Sequence, residues 1–234
     1  MSEPNDIIYG VHPVAEALKN PRRKIYSLKA SKNAYDRLAA EIAASGITPE
    51  IVHPSLLDKR LGADAVHQGL LMEAKPLAQP RLDQIEKSGI VVLLDQVTDP
   101  HNVGAILRTC AAFNVTALVA TSRHSPDASA VLFKSASGAY EHVPFVKVTN
   151  LSRAMHELKD YGFRILGLDS DAPEDISAMD RSPPVAIVLG AEGKGLRQLT
   201  RDSCDHLVRL DMNGPIRSLN VSNACAVTLY ALTR

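Results

Sequence analysis

Apolar positions along the chain recur in short runs and at helical spacings, never in one long block. Pro13 suits the first turn of a helix running to about Leu18, and Asn20-Pro21 stops it. Ile25 to Ala30 reads as a strand. Ser31 then N-caps a helix from Lys32 to about Ser45, which Gly46 ends. Pro49 to Val52 and Leu70 to Ala74 are two further strands, separated by a short helix that Ser55 caps and that ends near Gly62. Together these segments predict a small α/β unit over residues 6–74.

Lys75 to Pro80 holds two prolines and no apolar period, so residues 75–88 read as a linker, with a short helix from about Arg81 to Lys87. Beyond it, strands and helices alternate. Ile90 to Leu94 is continuously apolar, as a strand buried on both faces would be. Helices are predicted from Asn102 to Phe113, from about Asp127 to Ser135, from Leu151 to Tyr161 behind an Asn150 cap, and from Asn220 to Thr233. Strands are predicted at Ala117–Ala120, Val143–Val146, Arg164–Leu168, Ala186–Leu189 and Val208–Leu210. This alternation predicts a second α/β domain over 89–234, built on a mainly parallel sheet.

Composition narrows the picture. The chain has 234 residues, 45% of them hydrophobic, which suits one large globular domain or two small ones. The longest plain apolar run, Ile90 to Leu94, is too short to span a membrane. Residues 1–6 lack the basic and apolar regions of a signal peptide. Cys110, Cys204 and Cys225 are odd in number and widely spaced, which predicts reduced thiols and a cytoplasmic protein. No His/Cys/Asp cluster has metal-ligand spacing, so no metal is expected and His101 reads as a loop residue. Basic and acidic residues balance at 26 each, which removes a uniformly basic surface but not local basic patches.

Candidate chemistry lies in three loops that follow predicted strands, where parallel sheets bind ligands. The first runs from Asp95 to Thr109. Asn102 sits where an N-cap is wanted, and Gly104 suggests close approach of a backbone or ligand. The second, Leu189 to Leu196, carries Gly190, Gly193 and Gly195 around Glu192. Its order is G-x-x-G-x-G, which argues against the dinucleotide fingerprint G-x-G-x-x-G. The third, Leu210 to Ala224, gathers Ser218, Asn220 and Ser222 at a helix start, either as alternative caps or as groups facing a polar ligand.

Taken in order, Asp99-Pro100-His101-Asn102-Val103-Gly104 with Arg108-Thr109, Val188 to Leu196, and Ser218-Leu219-Asn220-Val221-Ser222 resemble the three motifs of the SPOUT methyltransferases, TrmH (SpoU) family. One departure is Asp211 before Met212, where the family often has Pro. Tyr9 to Leu18 and His67-Gln68-Gly69 are similar to the substrate-binding domain of the branch that methylates large-subunit ribosomal RNA. The resemblance implies a C-terminal α/β domain with a deep trefoil knot and a small N-terminal α/β domain like an RNA-binding ribosomal protein. It implies homodimers that use S-adenosyl-L-methionine to methylate a ribose 2′-oxygen, here of a guanosine in 23S ribosomal RNA. The alternatives are a transfer-RNA enzyme and a non-catalytic RNA-binding assembly factor.

Residue by residue, the resemblance makes Arg108 the catalytic arginine and Asn102, Glu192, Ser218 and Asn220 its polar support. Leu189, Gly190, Leu210, Ser218 and Leu219 match the cofactor contacts. A guanidinium is a poor base and a good phosphate clamp, so Arg108 is expected to hold the phosphate beside the target ribose and to help its hydroxyl lose a proton. For RNA contact the candidates are Arg22, Arg23 and Lys24, and Lys194 and Arg197 with Arg201, Arg209 and Arg217 around the last two motifs.

Overall fold

A computed structural model describes residues 5–215 and 218–234. The first part is a four-stranded sheet in the order β1-β4-β2-β3, with β1 at Asp6–Tyr9, β2 at Ile25–Ala30, β3 at Glu50–Ile51 and β4 at Leu70–Ala74. Central β4 runs antiparallel to both β1 and β2. Strand β1 was not expected from the sequence. It is only four residues long, and its partner β4 lies far along the chain.

Helices α1 (Val11–Lys19), α2 (Lys32–Arg37), α3 (Ala39–Ser45) and α4 (Pro54–Leu61) flank this sheet. The single helix expected over 32–45 is broken at Leu38, whose side chain is buried and whose backbone leaves the helical region. Helix α4 is capped by His53 rather than Ser55, because Pro54 takes the first helical position and places Ser55 inside the helix.

The second sheet has seven strands, all paired in parallel, in the order β7-β6-β5-β10-β8-β11-β9. These are β5 (Ile90–Asp95), β6 (Ala117–Thr121), β7 (Phe145–Val148), β8 (Arg164–Leu168), β9 (Glu174–Asp175), β10 (Val185–Gly190) and β11 (His206–Arg209). Strand β10 enters between β5 and β8, which brings the end of β5 beside the end of β10, with Gly190 opposite Asp95. One face carries α5 (Pro100–Ala112), α6 (Ala130–Ala136) and α9 (Val221–Leu232). The other carries α7 (Leu151–Asp160), while α8 (Gln198–Asp202) leads into β11.

Gly104 of α5 has no room for a side chain. A Cβ there would lie 2.5 Å from the Ser135 Cβ and 2.8 Å from the Leu132 carbonyl oxygen of α6. The approach anticipated at this glycine is thus that of a neighbouring helix.

The two sheets share one apolar core, since Ile8, Leu28 and Met72 belong to the same buried cluster as Val92, Ile106 and Phe133. The expected linker is docked rather than loose. Leu77 is buried, the Gln79 side chain accepts the Phe145 N–H at 2.9 Å, and the expected helix at Arg81–Lys87 shrinks to a 3₁₀ turn at Leu82–Gln84.

Arg23 corrects the reading of the first basic group. Its side chain is fully enclosed, pairing with Asp6 at 2.5 Å and with Glu141 of the second unit at 2.6 Å. It also donates to the Lys75 carbonyl at 3.0 Å. A cation buried between two carboxylates cannot reach a phosphate, so Arg23 is a docking residue and not an RNA contact.

Candidate active site at the carboxyl edge of the parallel sheet

Because every strand of the large sheet points the same way, the loops after β5, β10 and β11 emerge on one edge. Asp95 ends β5 fully buried. Its carboxylate accepts the Arg197 backbone N–H at 2.9 Å and the Arg197 Nε–H at 2.6 Å, which clamps the loop after β10 against β5. Asp95 lies outside the three family motifs, and an acid closing a continuously apolar strand is its signal in the sequence.

Helix α5 begins at Asp99, whose carboxylate accepts the His101 N–H at 2.9 Å, with Pro100 in the first turn. Asn102 is therefore not the cap, and His101 is helical rather than in a loop. The Asn102 side chain instead donates to Glu192 Oε1 at 3.0 Å. Asn220, the cap of α9, donates to the same oxygen at 2.6 Å and to Asn102 Oδ1 at 3.1 Å. The Val221 N–H reaches Glu192 Oε1 at 3.4 Å, and Asn220 Oδ1 accepts from Ser222. Three residues picked from three separate loops thus meet at one carboxylate.

The glycines of the middle loop let it fold on itself. A Cβ at Gly190 would sit 2.2 Å from the Gly195 carbonyl carbon, and Gly193 and Gly195 adopt left-handed φ of +76° and +63°. The bareness of Gly190 serves the loop's own closure, while a Cβ at Gly193 or Gly195 would meet nothing within 4 Å.

Beside the three-residue junction lies a cleft whose lining includes Leu189, Gly190, Leu210, Ser218 and Leu219, the five residues matched to cofactor contacts, and Glu192. Leu168, Met212 and Val221 add apolar wall, and Asp169 and Ser170 add polar groups. Apolar side chains suit an adenine face, bare backbone suits ribose and ring edges, and carboxylates suit a sulfonium cation. This donor set fits S-adenosylmethionine.

Arg108 is not brought to the junction. It is exposed, and among the described residues no hydrogen bond or ion pair joins it to Asn102, Glu192 or Asn220. Six residues beyond Asn102, it lies about 9 Å further along α5 on a different face. Ser218 borders the cleft without a hydrogen bond to the junction among the described residues.

The basic candidates divide. Arg22, Lys24 and Lys194 are exposed, although Arg22 also donates to the Glu141 carbonyl at 3.3 Å. Arg197 is half-exposed and spends its Nε on Asp95. Arg201 pairs with Asp169, and Arg209 donates to the carbonyls of Ala172 and Pro173. Arg217 lies outside the described residues.

The chain is similar to known proteins along almost its whole length. The model of the SpoU rRNA methylase family matches residues 89–230, and that of RNA 2'-O ribose methyltransferase substrate binding matches residues 7–80. The 23S rRNA (guanosine-2'-O-)-methyltransferase RlmB of Vibrio cholerae is 40% identical over 98% of this chain and 97% of its own. RlmB of Haemophilus influenzae is 36% identical over 97% and 96%. The SpoU methyltransferase AviRb from Streptomyces viridochromogenes, solved in complex with the cofactor AdoMet, has the same fold. It superposes with a TM-score of 0.81 at 23% identity, covering 98% of this chain and 89% of that one. On the match to its larger part and its full-length relatives, the chain belongs to the SpoU rRNA methylase family.

Proposed function

We propose that the protein methylates the ribose 2′-oxygen of a guanosine in 23S ribosomal RNA, using S-adenosylmethionine. The observation that carries this reading is the junction of Asn102, Glu192 and Asn220 beside the cleft. It joins the three loops that such chemistry needs in one place. The RNA named for the full-length relatives supplies the substrate class and, with it, a cytoplasmic place of action.

S-adenosylmethionine, when bound, supplies an electrophilic methyl group on a sulfonium. Leu189, Gly190, Leu210, Ser218 and Leu219 would hold it, with Glu192 adding negative charge near the sulfonium. The ribose hydroxyl must then be placed in line, and such placement alone supplies on the order of 7–11 kcal/mol in favourable cases. Asn102 and Asn220 fix Glu192 in one orientation. In this reading Arg108, exposed and so open to RNA, would clamp the phosphate beside the target ribose and ease loss of the hydroxyl proton. Lys194, Arg22 and Lys24 are exposed cations that would meet the flanking backbone.

Residues 6–74 form the RNA-binding domain in this reading, 75–88 the connection and 89–234 the catalytic domain. Insertion of β10 between β5 and β8 supports a trefoil-knotted path for the second half. Val227 and Tyr230, 46% and 51% exposed on α9, support a homodimer.

Calorimetric titration with S-adenosylmethionine tests the cleft. Mapping 2′-O-methyl groups in 23S and transfer RNA from cells lacking the protein tests the substrate. Saturable binding and one missing guanosine methyl in 23S RNA are expected. A methyl lost only from transfer RNA, or no cofactor binding, would sink the reading.

A further inference from the structure

Helix α6 touches both halves of the molecule. On one flank Lys134 Nζ donates to the Gln68 side-chain oxygen at 2.8 Å. That same oxygen accepts the Val11 N–H at 3.1 Å, at the open start of α1, where Gly10 offers no capping side chain. Gln68 holds a left-handed φ of 54° at the tip of a turn. His67 braces this turn, accepting the Gly69 N–H at 3.0 Å and bonding Asp58 at 2.9 Å. Gly10 has a φ of +93°, which side chains rarely adopt, and it lies close under Lys134, whose Nζ would be 2.5 Å from a Cβ there.

On the other flank of α6, the next residue reaches the site. Ser135 Oγ meets His101 Nδ1 at 3.2 Å, one position before Asn102, and its Cβ fills the space left by Gly104. Beyond α6, Glu141 and His142 complete the seam. Glu141 takes Arg23 and the Asn20 amide, and His142 meets Glu16 at 2.7 Å. Gly138 is bare against the Glu16 side chain.

We infer that Gln68 and Lys134 are positioning residues, a latch that fixes the small domain to α6 and so sets which nucleotide the site receives. This rests on the proposed RNA methylation. The latch acts through geometry alone, because neither side chain lines the cleft. It gives a purpose to the Gly10 and His67-Gln68-Gly69 motifs, which the chemistry of the site leaves unused.

The test uses the full chain with Lys134→Met and Gln68→Ala, both at side chains outside the core, and Lys134→Arg as the conservative rescue. In hydrogen exchange, the amides around Val11 and Gln68 should exchange faster in the Met and Ala variants than in the wild type. On a 23S RNA transcript, KM for RNA should rise about tenfold or methylation should spread to neighbouring riboses, with S-adenosylmethionine affinity unchanged. Lys134→Arg should restore both. Variants with wild-type amide exchange, KM and methylation site would overturn the latch. A wild-type protein that methylates no 23S RNA would overturn the functional reading, and the positioning role with it. Weakened cofactor binding in the variants would overturn the latch by revealing general damage to the catalytic domain.

Discussion

Glu192 and Asn220 meet at 2.6 Å across two loops that the sequence separates by 28 residues. The Glu192 oxygen also takes the Asn102 amide and the Val221 N–H, so one acceptor holds the starts of α5 and α9 together. Glu192→Ala leaves both asparagines without this partner. Unfolding free energy should fall by about 0.5–1.5 kcal/mol, since these groups are open to water, and S-adenosylmethionine should bind more weakly. Chemical denaturation and calorimetry measure the two effects. An unchanged cofactor affinity would separate the junction from the cleft.

Arg108 is expected to behave in the opposite way. It is exposed and bonded to none of the junction residues. Arg108→Ala should leave the unfolding midpoint within surface-substitution scatter, about 0.5 kcal/mol, and leave cofactor affinity intact. Turnover should drop by about a hundredfold or more, as for loss of a charge-stabilising donor. Single-turnover methyl transfer checks this, and a near wild-type rate would remove Arg108 from the chemistry.

Gly104→Ala sets two effects against each other. Alanine gains roughly 1 kcal/mol in helix propensity, but its Cβ would collide with Ser135 and the Leu132 carbonyl. Overpacking costs about 1–3 kcal/mol, and the backbone oxygen has little freedom to yield. The variant should be less stable than the wild type in a thermal melt. A higher melting temperature would show that α6 moves aside without strain.

Arg23 carries a stability prediction and a pH prediction. Arg23→Met leaves Asp6 and Glu141 buried without their cation, and removing one partner of such a pair costs about 3–5 kcal/mol. Lys24→Ala, at an exposed neighbour, should cost little stability and weaken RNA binding instead. In the wild type, burial pushes the Asp6 carboxyl above its ordinary 3.8 against the lowering pull of Arg23, and the Glu141 charge adds to the rise. A raised native pKa means that the folded protein binds the Asp6 proton more tightly than the unfolded chain. The stability Asp6 contributes is then full below 3.8 and is lost as the pH rises through its native pKa. Unfolding free energies of wild type minus Asp6→Asn should therefore decline from acid to neutral pH. A difference that grows with pH would reverse the sign of the shift.

Much of this architecture can be read from local patterns. The spans Ile25–Ala30, Leu70–Ala74 and Arg164–Leu168 are strands at the expected positions, and Asn150 and Asn220 cap the expected helices. Each of these signals lies within a few residues of the element it marks. The errors arise where a distant partner decides. Arg23 looks like a surface cation until Glu141, 118 residues away, closes over it. Strand β1 exists because β4 pairs with it. Asn102 was misplaced for a local reason, since Pro100 in the first turn already pointed to Asp99 as the cap. That error hid how Asn102 becomes free to reach Glu192.

Among the described residues, all those lining the cleft lie between Leu168 and Ala224. The small domain and the strands from β5 to β7 all precede that stretch. During synthesis, which proceeds from the amino end, the small sheet and the strands and helices it packs against are made before any described wall of the cofactor cleft. The cofactor cleft is thus among the last parts of the molecule to be completed in translation.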